Sequence, residues 1–426
     1  MTQWRRDAAR RIYSGLLALL LPAYVMRLCW RGRAEPLYRH AIFERLGRYA
    51  FPSSSGWVWI HAVSLGETRA AAALIDALRG LKPGMRLLLT HGTATGRDAG
   101  RSLLRDGDVQ VWLPYDTPGA VARFFAQFSP AVGVLMETEV WPNLLHGAES
   151  ASVPMVLANA RLSEKSRKKG ERFDALLRPA VEAFSMVLAQ TEDDAQRLHA
   201  AGAAHSVVSG NLKFDVNPDA AQLAQGKAWR KRLQRQVVLA AITREGEEAM
   251  LLAAWSQQPD PKPLLLIVPR HPQRFDEVAA LVRAEGLTLA RRSSWVDEPP
   301  PDALQAQAWL GDSMREMALY YGMAHVALLG GSFARLGGHN LIEAAACGCP
   351  VVMGPHTFNF AEAAELAIAA GAAVRAIDME QALIEATTML DSVVNRAFSG
   401  KAVAFASMHR GAAVRMADAI AALLSD

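Results

Sequence analysis

The stretch WVWIHAVSLGETRAAAALIDALRG, residues 57–80, decides the fold class. It opens with an uninterrupted apolar run, WVWIHA, which predicts a strand that is buried on both faces. After the turn VSLGE comes TRAAAALIDALRG, whose apolar residues recur at helical spacing. A buried strand followed at once by an amphipathic helix is the repeating unit of a parallel α/β sheet. This stretch therefore predicts such a sheet.

The same alternation fills the first half of the chain and restarts in the second. Strands are predicted in the first half at 57–62, 86–91, 109–114, 131–136, 154–159, 186–190 and 206–210. A polar, Gln-rich and basic stretch at 217–236 interrupts the rhythm. Further strands are predicted at 237–242, 263–269, 326–331 and 350–354. The chain is expected to fold as two doubly wound α/β domains, which suits its length of 426 residues.

Composition excludes some classes of protein. Of the residues, 51% are apolar and 21% are charged, which is typical of a folded chain and not of a disordered one. Cys29, Cys347 and Cys349 are too few for a disulfide framework, and the CGC motif lacks the partners of a zinc site. The net charge of +4 suits an anionic membrane, nucleic acid or a phosphorylated substrate, and does not choose among them.

The N-terminus carries an uncharged segment, YSGLLALLLPAYVM at 13–26. It is shorter than the roughly 20 residues that a spanning helix needs, and arginines flank both ends, so they define no orientation. We expect a helix that lies in the membrane interface, with its apolar face inward and its arginines at the headgroups. A buried core helix is the alternative; a signal peptide fits less well because no small-residue cleavage site follows.

Ligands of open α/β sheets bind beyond the carboxyl ends of the strands, and polar residues follow most of the predicted strands. The motifs there are HAVSLGE (61–67), ETEVWPN (137–143), NARLSEKS (159–166), GNLKFD (210–215), PRHPQRF (269–275), and GGSF (330–333) followed by GGHNLIEAAACGCPVVMGP (337–355). Together they resemble the 3-deoxy-D-manno-octulosonic acid (Kdo) transferases of lipopolysaccharide assembly. The resemblance extends from ERLG at 44–47 to GPHTFNF at 354–360.

The resemblance implies a GT-B glycosyltransferase, with two Rossmann-like domains that face each other across a cleft. It implies CMP-Kdo as the donor, a lipid A precursor (lipid IVA) as the acceptor, and neither nucleic acid nor a cofactor. We expect a membrane-associated helix at 1–33, an acceptor domain at 34–225, a donor domain at 226–400 and a C-terminal helix at 401–426. That last helix could pack on either domain. The protein is expected on the cytoplasmic face of the inner membrane, against an anionic surface.

On the acceptor side, the resemblance implies that Glu67 is the general base that takes the proton of the attacking hydroxyl. A carboxylate at the start of a helix also has a structural explanation, because it complements the helix dipole. Ser64 and Gly66 are expected near the acceptor, Gly66 because it lets the substrate approach closely.

Glu137 and Glu139 are expected to bind acceptor hydroxyls, with the choice between them open. Trp141 either stacks on a sugar or belongs to the core. Arg161 and the basic run at 165–169 could meet lipid phosphates, although such a run is more often a solvated face. Lys213 either neutralises the donor or forms an ion pair with Asp215.

On the donor side, the expected nucleotide contacts are Arg270 and His271 after one strand, Gly331 and Ser332 after another, and Met314. Asn340 and Glu343 are three residues apart, so they are predicted on one helix face, where Glu343 accepts the ribose hydroxyls. Two residues depart from the family pattern: Arg315 stands where a glycine is usual, and Arg244 where a small residue is common.

No metal site is expected, and His61 and His339 are interpreted as structural or hydrogen-bonding groups. Two other functions stay open. One is a GT-B transferase that uses a UDP-sugar, and the other is an inactive membrane scaffold.

Overall fold

The computed structural model describes residues 3–215 and 217–424. The chain divides into two compact units. The first comprises Met1–Asp215 and Arg410–Asp426, and the second comprises Val216–His409. Each unit contains one seven-stranded sheet in which every pair of neighbouring strands is parallel. The predicted α/β class, with two Rossmann-like domains, is confirmed.

The sheet of the first unit has the order β3-β2-β1-β4-β5-β6-β7. Its strands are β1 Trp57–His61, β2 Arg86–His91, β3 Val109–Trp112, β4 Val132–Met136, β5 Met155–Ala160, β6 Met186–Ala189 and β7 Ser206–Val208. The order reverses between β1 and β4, which pair directly.

The sheet of the second unit has the order β10-β11-β9-β8-β12-β13-β14. Its strands are β8 Val237–Thr243, β9 Leu264–Pro269, β10 Leu289–Arg291, β11 Ala308–Leu310, β12 Val326–Leu329, β13 Val351–Met353 and β14 Ala373–Arg375. Here the order reverses between β8 and β12. All eleven predicted strands are present, whereas β10, β11 and β14, three residues each, were missed.

Helices connect the strands and cover both faces of each sheet. The N-terminal segment of the first unit contains eight helices among the described residues: α1 Gln3–Arg31, α2 Leu65–Leu81, α3 Ala94–Gly100, α4 Pro118–Phe128, α5 Pro142–Ser150, α6 Glu164–Gly170, α7 Asp174–Glu182 and α8 Glu192–Ala200. Those of the second unit are α9 Ala220–Leu233, α10 Glu247–Ser256, α11 Phe275–Ala284, α12 Pro301–Gln305, α13 Met317–Met323, α14 Ile342–Ala346, α15 Ala361–Ala369, α16 Met379–Thr388 and α17 Ser392–Met408. Finally, α18 Ala412–Ala421 belongs to the first unit.

Short 3₁₀ turns complete the connections. They are Pro36–Arg39, Ile42–Leu46, Arg101–Leu103, Glu171–Phe173, Leu212–Phe214, Pro272–Arg274 and Arg292–Ser294.

Strand β1 shows why the sheet is buried on both faces. Trp57 and Trp59 point into one hydrophobic cluster, whereas Val58 and Ile60 point into another on the opposite face. Side chains alternate along a strand, so an uninterrupted apolar run supplies both layers at once.

The last helix, α18, completes the second of these clusters. Met416 and Ile420 are fully buried in it, on the same face of the sheet as Leu74 of α2. The carboxylate of Asp215 accepts hydrogen bonds from the backbone N–H groups of Gly411, at 2.5 Å, and Ala413. These bonds fix the first turn of α18 to Asp215, the last residue of the N-terminal segment of the first unit.

Helix α1 docks on the first unit through polar contacts on one face. Tyr13 Oη donates to Asp116 Oδ2 at 3.0 Å, Ser14 Oγ donates to Asn143 Oδ1 at 3.0 Å, and Arg6 pairs with Glu182 at 2.6 Å. The opposite face is apolar and exposed; it presents Ile12, Leu16, Leu19, Met26 and Trp30. Among the described residues, α1 is the one helix whose length and composition would allow it to cross a membrane.

Two glycines allow α9 and α13 to pack closely in the second unit. A Cβ at Gly226 would stand 2.1 Å from the carbonyl oxygen of Leu319, and one at Gly322 would stand 2.7 Å from the carbonyl oxygen of Leu223. Neither partner is a side chain that could turn away. The backbones of the two helices are therefore in contact at this crossing.

We predict that Gly226→Ala lowers the free energy of unfolding of the second unit by about 1–3 kcal/mol, because the methyl group forces the two helices apart. Gly80→Ala is the matched control, since Gly80 is also helical and has no neighbouring atom within 4 Å of the added Cβ. It should be neutral or slightly stabilising. Chemical denaturation followed by tryptophan fluorescence measures both variants, and equal stabilities would contradict the close packing.

Candidate active site

The first unit gathers three carboxylates where its strand order reverses. Glu67 follows β1, and Glu137 and Glu139 follow β4, the strand beside it. The charges of Glu67 and Glu137 both raise the pKa of Glu139. In open α/β sheets the point of reversal opens a crevice for ligands. The three acids predicted from the motifs therefore lie together at the edge where a ligand is expected.

Glu67 forms a reciprocal capping box at the start of α2. Its N–H donates to Ser64 Oγ at 3.4 Å, while its own carboxylate accepts from Ser64 Oγ and from the N–H of Val63, both at 2.8 Å. This arrangement fixes the rotamer of Glu67. The structural explanation for an acid at this position is therefore present, and the side chain is held at the sheet edge.

Burial raises the pKa of Glu67 above its ordinary value, against the lowering effect of the hydrogen bonds from Val63 and Ser64. The charge of Glu137 adds to the rise. Burial and a neighbouring carboxylate thus shift the pKa of Glu67 in the direction that is common for carboxylates at functional sites.

Glu137 is held by two cations. Arg161 Nε lies 2.9 Å from its Oε2, and Lys213 Nζ lies 3.8 Å from its Oε1. The predicted ion pair between Lys213 and Asp215 stays a prediction; the carboxylate of Asp215 accepts from backbone N–H groups at the start of α18. Glu137 is 8% exposed, so its partners fix a buried carboxylate in one position.

Glu139 is the most strongly perturbed of the three acids. Burial, together with the charges of Glu67 and Glu137, raises its pKa to about 7, although Trp141 Nε1 donates to its Oε2 at 2.7 Å. Trp141 itself packs against the hydrophobic core, and Pro142 begins α5. Trp141 therefore packs on the core and also binds an acid of the site, while its stacking on a sugar stays a prediction.

Gly66 is exposed in the first turn of α2, and a Cβ there would meet no atom closer than Ser64 Oγ at 3.9 Å. The fold of the first unit therefore does not require a glycine at this position. The open space beside Glu67 is available to a ligand.

The docked helix α1 meets the same edge of the sheet. Asp116 follows β3, and besides Tyr13 its carboxylate accepts from the N–H groups of Asn143 and Leu144 at the start of α5. One buried carboxylate therefore joins the apolar helix to the loop that carries Glu137 and Glu139.

Other residues predicted for this side support the loops. Asn159 is fully buried, and its Oδ1 accepts from the N–H of Leu212 at 3.0 Å. The run at 165–169 lies on α6, where Arg167 pairs with Glu164 and Glu171 within the helix. His61 is buried, with Nδ1 2.9 Å from Thr90 Oγ1. These contacts agree with structural roles.

In the second unit, a buried acid organises the glycine loop that follows β12. The carboxylate of Glu247 accepts from the N–H groups of Gly331 at 2.7 Å, Phe333 at 3.0 Å and Ala334 at 3.2 Å, and from that of Arg244 at 2.9 Å. Glu247 follows β8, across the point of strand reversal from Gly331. Its neighbour Glu248 is also buried and binds Thr243 and Arg274.

Neither Glu247 nor Glu248 was predicted as a site residue, although both stand in the TREGEE segment at 243–248. The partners of Glu247 at 331–334 lie more than 80 residues away in sequence. No local spacing reveals such a contact.

A cluster of basic residues lies beside this loop. The pKa of His339 is lowered to about 4, first by burial and then by the charges of Arg270, Arg244 and His271. That of His271 is lowered by burial and by Arg244, Arg270 and Arg274. Both imidazoles are thus neutral within a positively charged neighbourhood. Arginines grouped in this way suit a phosphate or carboxylate ligand.

Ser332 supports the loop from within. It is fully buried; its hydroxyl donates to the carbonyl of Leu329 and accepts from the N–H of Gly354 at 2.8 Å. These bonds join the loop after β12 to the end of β13. Gly331 has a φ of 71°, a left-handed conformation that favours glycine.

The prediction that Asn340 and Glu343 share one helix face is wrong. Helix α14 begins only at Ile342, because Asn340 Oδ1 accepts from the N–H of Ile342 at 3.0 Å and forms a turn before the helix. Glu343 lies in the first turn of α14, where the helix dipole favours a carboxylate. It is half-buried.

Met314 is exposed and follows β11, and its neighbour Arg315 has a φ of 64°. This is the position where the family pattern has a glycine, and the backbone explains that preference. Three other non-glycine residues at or near the carboxyl ends of strands share this conformation: Glu137, Asn159 and Ile242, with φ values of 58°, 52° and 59°. Strained backbone of this kind concentrates at functional sites.

The described residues contain no group of three or more His, Cys, Asp or Glu side chains placed to hold a metal ion.

Comparison with known proteins places these motifs in one family. Residues 40–216 match the family model described as 3-deoxy-D-manno-octulosonic-acid transferase (kdotransferase). The 3-deoxy-D-manno-octulosonic acid transferase of Bordetella pertussis is 47% identical over 96% of this chain and 98% of its own length. The enzyme of the same name from Haemophilus influenzae is 34% identical over 83% of this chain and 84% of its own.

A solved glycosyltransferase from Rickettsia africae has the same fold. It covers 88% of this chain and 100% of its own, with a TM-score of 0.55 at 12% identity. The predicted GT-B class is confirmed, and the predicted cleft stays a prediction.

We predict that Glu139→Gln stabilises the protein at pH 8 by about 1–2 kcal/mol, after allowance for screening by solvent. The pKa of Glu139 is raised from 4.5 to about 7 by folding. Its contribution to stability is therefore present below pH 4.5 and is lost as the pH rises through 7, where the ionised form is disfavoured in the folded state. Glutamine cannot ionise and avoids this loss.

Denaturation midpoints at pH 4.5 and pH 8 measure the effect. The gain should vanish at the lower pH, and Glu285→Gln, an exposed change directly after α11, should show no such pH dependence. An equal gain at both pH values would show that ionisation of Glu139 does not destabilise the folded state.

Proposed function

The chain belongs to the family of 3-deoxy-D-manno-octulosonic acid (Kdo) transferases of lipopolysaccharide biosynthesis, and we propose that it transfers Kdo from CMP-Kdo to the lipid A precursor lipid IVA. The acceptor hydroxyl oxygen bonds to the anomeric carbon of Kdo, and the bond from that carbon to the phosphate oxygen of CMP breaks. Attack occurs from the side opposite the phosphate, so the configuration inverts. The hydroxyl proton passes to a carboxylate of the protein, and CMP leaves with the bonding electrons.

Glu67 is the proposed general base. The observation that carries this role is its position: a carboxylate with a raised pKa, held by Ser64 and Val63 at the point of strand reversal, beside open space at Gly66. Each carboxylate oxygen has two acceptor sites, so the bonds within the capping box leave room for the proton. A base of this kind contributes about 10²–10⁴-fold to the rate.

Glu137 and Glu139 are proposed to bind the acceptor in different ways. Glu137, held in position by Arg161 and Lys213, is suited to accept hydrogen bonds from sugar hydroxyls. Glu139, with a pKa of about 7, can also donate a hydrogen bond when it is protonated. The two acids would therefore orient the attacking sugar, while Glu67 removes its proton.

The donor is proposed to bind at the carboxyl edge of the second sheet. Arg270, Arg244 and His271 lie there, and their arrangement suits the phosphodiester and carboxylate of CMP-Kdo. Gly331 allows close approach of the ligand, while Ser332 holds the loop from inside. Glu343, in the first turn of α14, is placed to accept the ribose hydroxyls, with Asn340 and Met314 as further contacts.

The apolar face of α1 supports a lipid acceptor. It is exposed along the helix and is joined through Tyr13 and Asp116 to the sheet edge that carries the acids. We propose that this face enters the cytoplasmic side of the inner membrane, with the flanking arginines at anionic headgroups.

We predict that the purified protein converts lipid IVA and CMP-Kdo into a product heavier by one or more Kdo units, as measured by mass spectrometry. Transfer from a UDP-sugar instead, or no transfer at all, would refute the proposed donor.

We predict that Glu67→Gln lowers kcat about 10²–10⁴-fold, because the variant cannot take the proton, and leaves CMP affinity unchanged. Glu164→Gln, an exposed change on α6, is the control and should keep full activity. If Glu67→Gln turned over at the rate of the control, another group would have to be the general base. Glu139→Gln, assayed in parallel across pH, shows whether Glu139 is that group.

We predict that Gly66→Leu raises the KM for the lipid acceptor at least tenfold and leaves the KM for CMP-Kdo and the stability unchanged. The added Cβ meets no protein atom closer than 3.9 Å, so we expect the side chain to obstruct the substrate and not the fold. Gly84→Leu, which also has no neighbouring atom within 4 Å of the added Cβ, is the control. An unchanged acceptor KM would place Gly66 outside the acceptor surface.

A further inference from the structure

A basic pocket lies at the amino edge of the second sheet, away from the proposed donor site. It has a volume of about 420 Å³ and is lined by Lys227, Arg230, Lys231, Gln234, Arg235, Gln236 and His325. Helix α9 and the turn into β8 supply six of these residues, and the turn before β12 supplies the seventh. Strand β8 is seven residues long, so about 20 Å separates this edge from the donor loops.

The lining has four cationic side chains and no carboxylate among the described residues. None of the four forms an ion pair with another described residue, in contrast to Arg232 on the same helix, which pairs with Glu298. Basic residues in the last turn of a helix are favoured by its dipole, which explains part of the charge. The dipole does not explain Arg235, which lies beyond the helix, or why these cations surround a concave surface.

Three lining groups are prepared to donate hydrogen bonds. Arg230 is anchored by a bond from Nη1 to the carbonyl of Ala324 at 3.1 Å. His325 Nδ1 accepts from the N–H of Val237 at 3.1 Å, so in the neutral ring Nε2 carries the proton. The guanidinium of Arg235 also lines the pocket; its Nε is closed off from solvent, so its terminal nitrogens are the donors that remain for a ligand.

From this geometry we propose that the pocket binds a phosphate group. A phosphate monoester dianion has acceptor oxygens in excess and carries the charge that the four cations lack. A free phosphate or phosphorylated metabolite and a phosphomonoester lipid headgroup share this chemistry. The site is independent of the proposed transferase activity, because none of its residues belongs to the acceptor or donor edge.

The test compares two variants that remove the same charge. Lys227→Gln/Lys231→Gln changes two exposed pocket residues, and Arg232→Gln/Lys401→Gln removes two exposed cations outside the pocket. Equilibrium dialysis with inorganic phosphate at low salt measures the phosphate bound per chain. We expect the pocket variant to bind it at least tenfold more weakly at one site than wild type does, and the control to match wild type. Phosphate that binds elsewhere on the protein is bound equally by both variants, so it does not contribute to the difference between them.

Vesicles that contain phosphatidic acid, compared with vesicles of phosphatidylcholine alone, separate the two sources. Weaker sedimentation of the pocket variant than of the control with phosphatidic acid indicates a lipid headgroup. Equal sedimentation, together with the loss of inorganic phosphate, indicates a soluble ligand. If the two variants are equal in both assays, the proposal is wrong.

Discussion

The chemistry of this protein depends on one constraint: in a parallel sheet every strand ends at the same edge. Because β1 and β4 are neighbours with helices leaving to opposite sides, their carboxyl ends bring together Glu67, Glu137 and Glu139, which are up to 72 residues apart in sequence. The second sheet repeats the arrangement at β8 and β12. The two edges differ in charge, since carboxylates collect at one and arginines at the other.

Buried carboxylates do two kinds of work in this chain. Glu247 and Asp116 each accept several backbone N–H groups and hold loops in place. Burial raises the pKa of Asp116, as it does those of Glu67 and Glu139. At Glu67 and Glu139 the charges of neighbouring carboxylates add to the rise, and this grouping of like charges distinguishes the candidate site from the framework.

Much of the fold could be predicted from the sequence, because long apolar runs such as WVWIHA reveal strands that are buried on both faces. Three-residue strands such as β14 carry no periodicity and were missed. The motif residues of the site were predicted through the family resemblance, and their roles stay predictions. Their conformations could not be predicted: the left-handed backbone at Glu137, the turn at Asn340 and the bonds of Glu247 depend on contacts between distant segments.

The bonds of Tyr13 to Asp116 and of Ser14 to Asn143 tie α1 to the loops at the edge of the first sheet. With the exposed face of α1 in a bilayer, as proposed above, these bonds would hold that edge at a constant height above the lipid surface. Encounters with a membrane-bound acceptor would then occur by lateral diffusion in two dimensions, so the rate would follow the surface density of the lipid and not its bulk concentration.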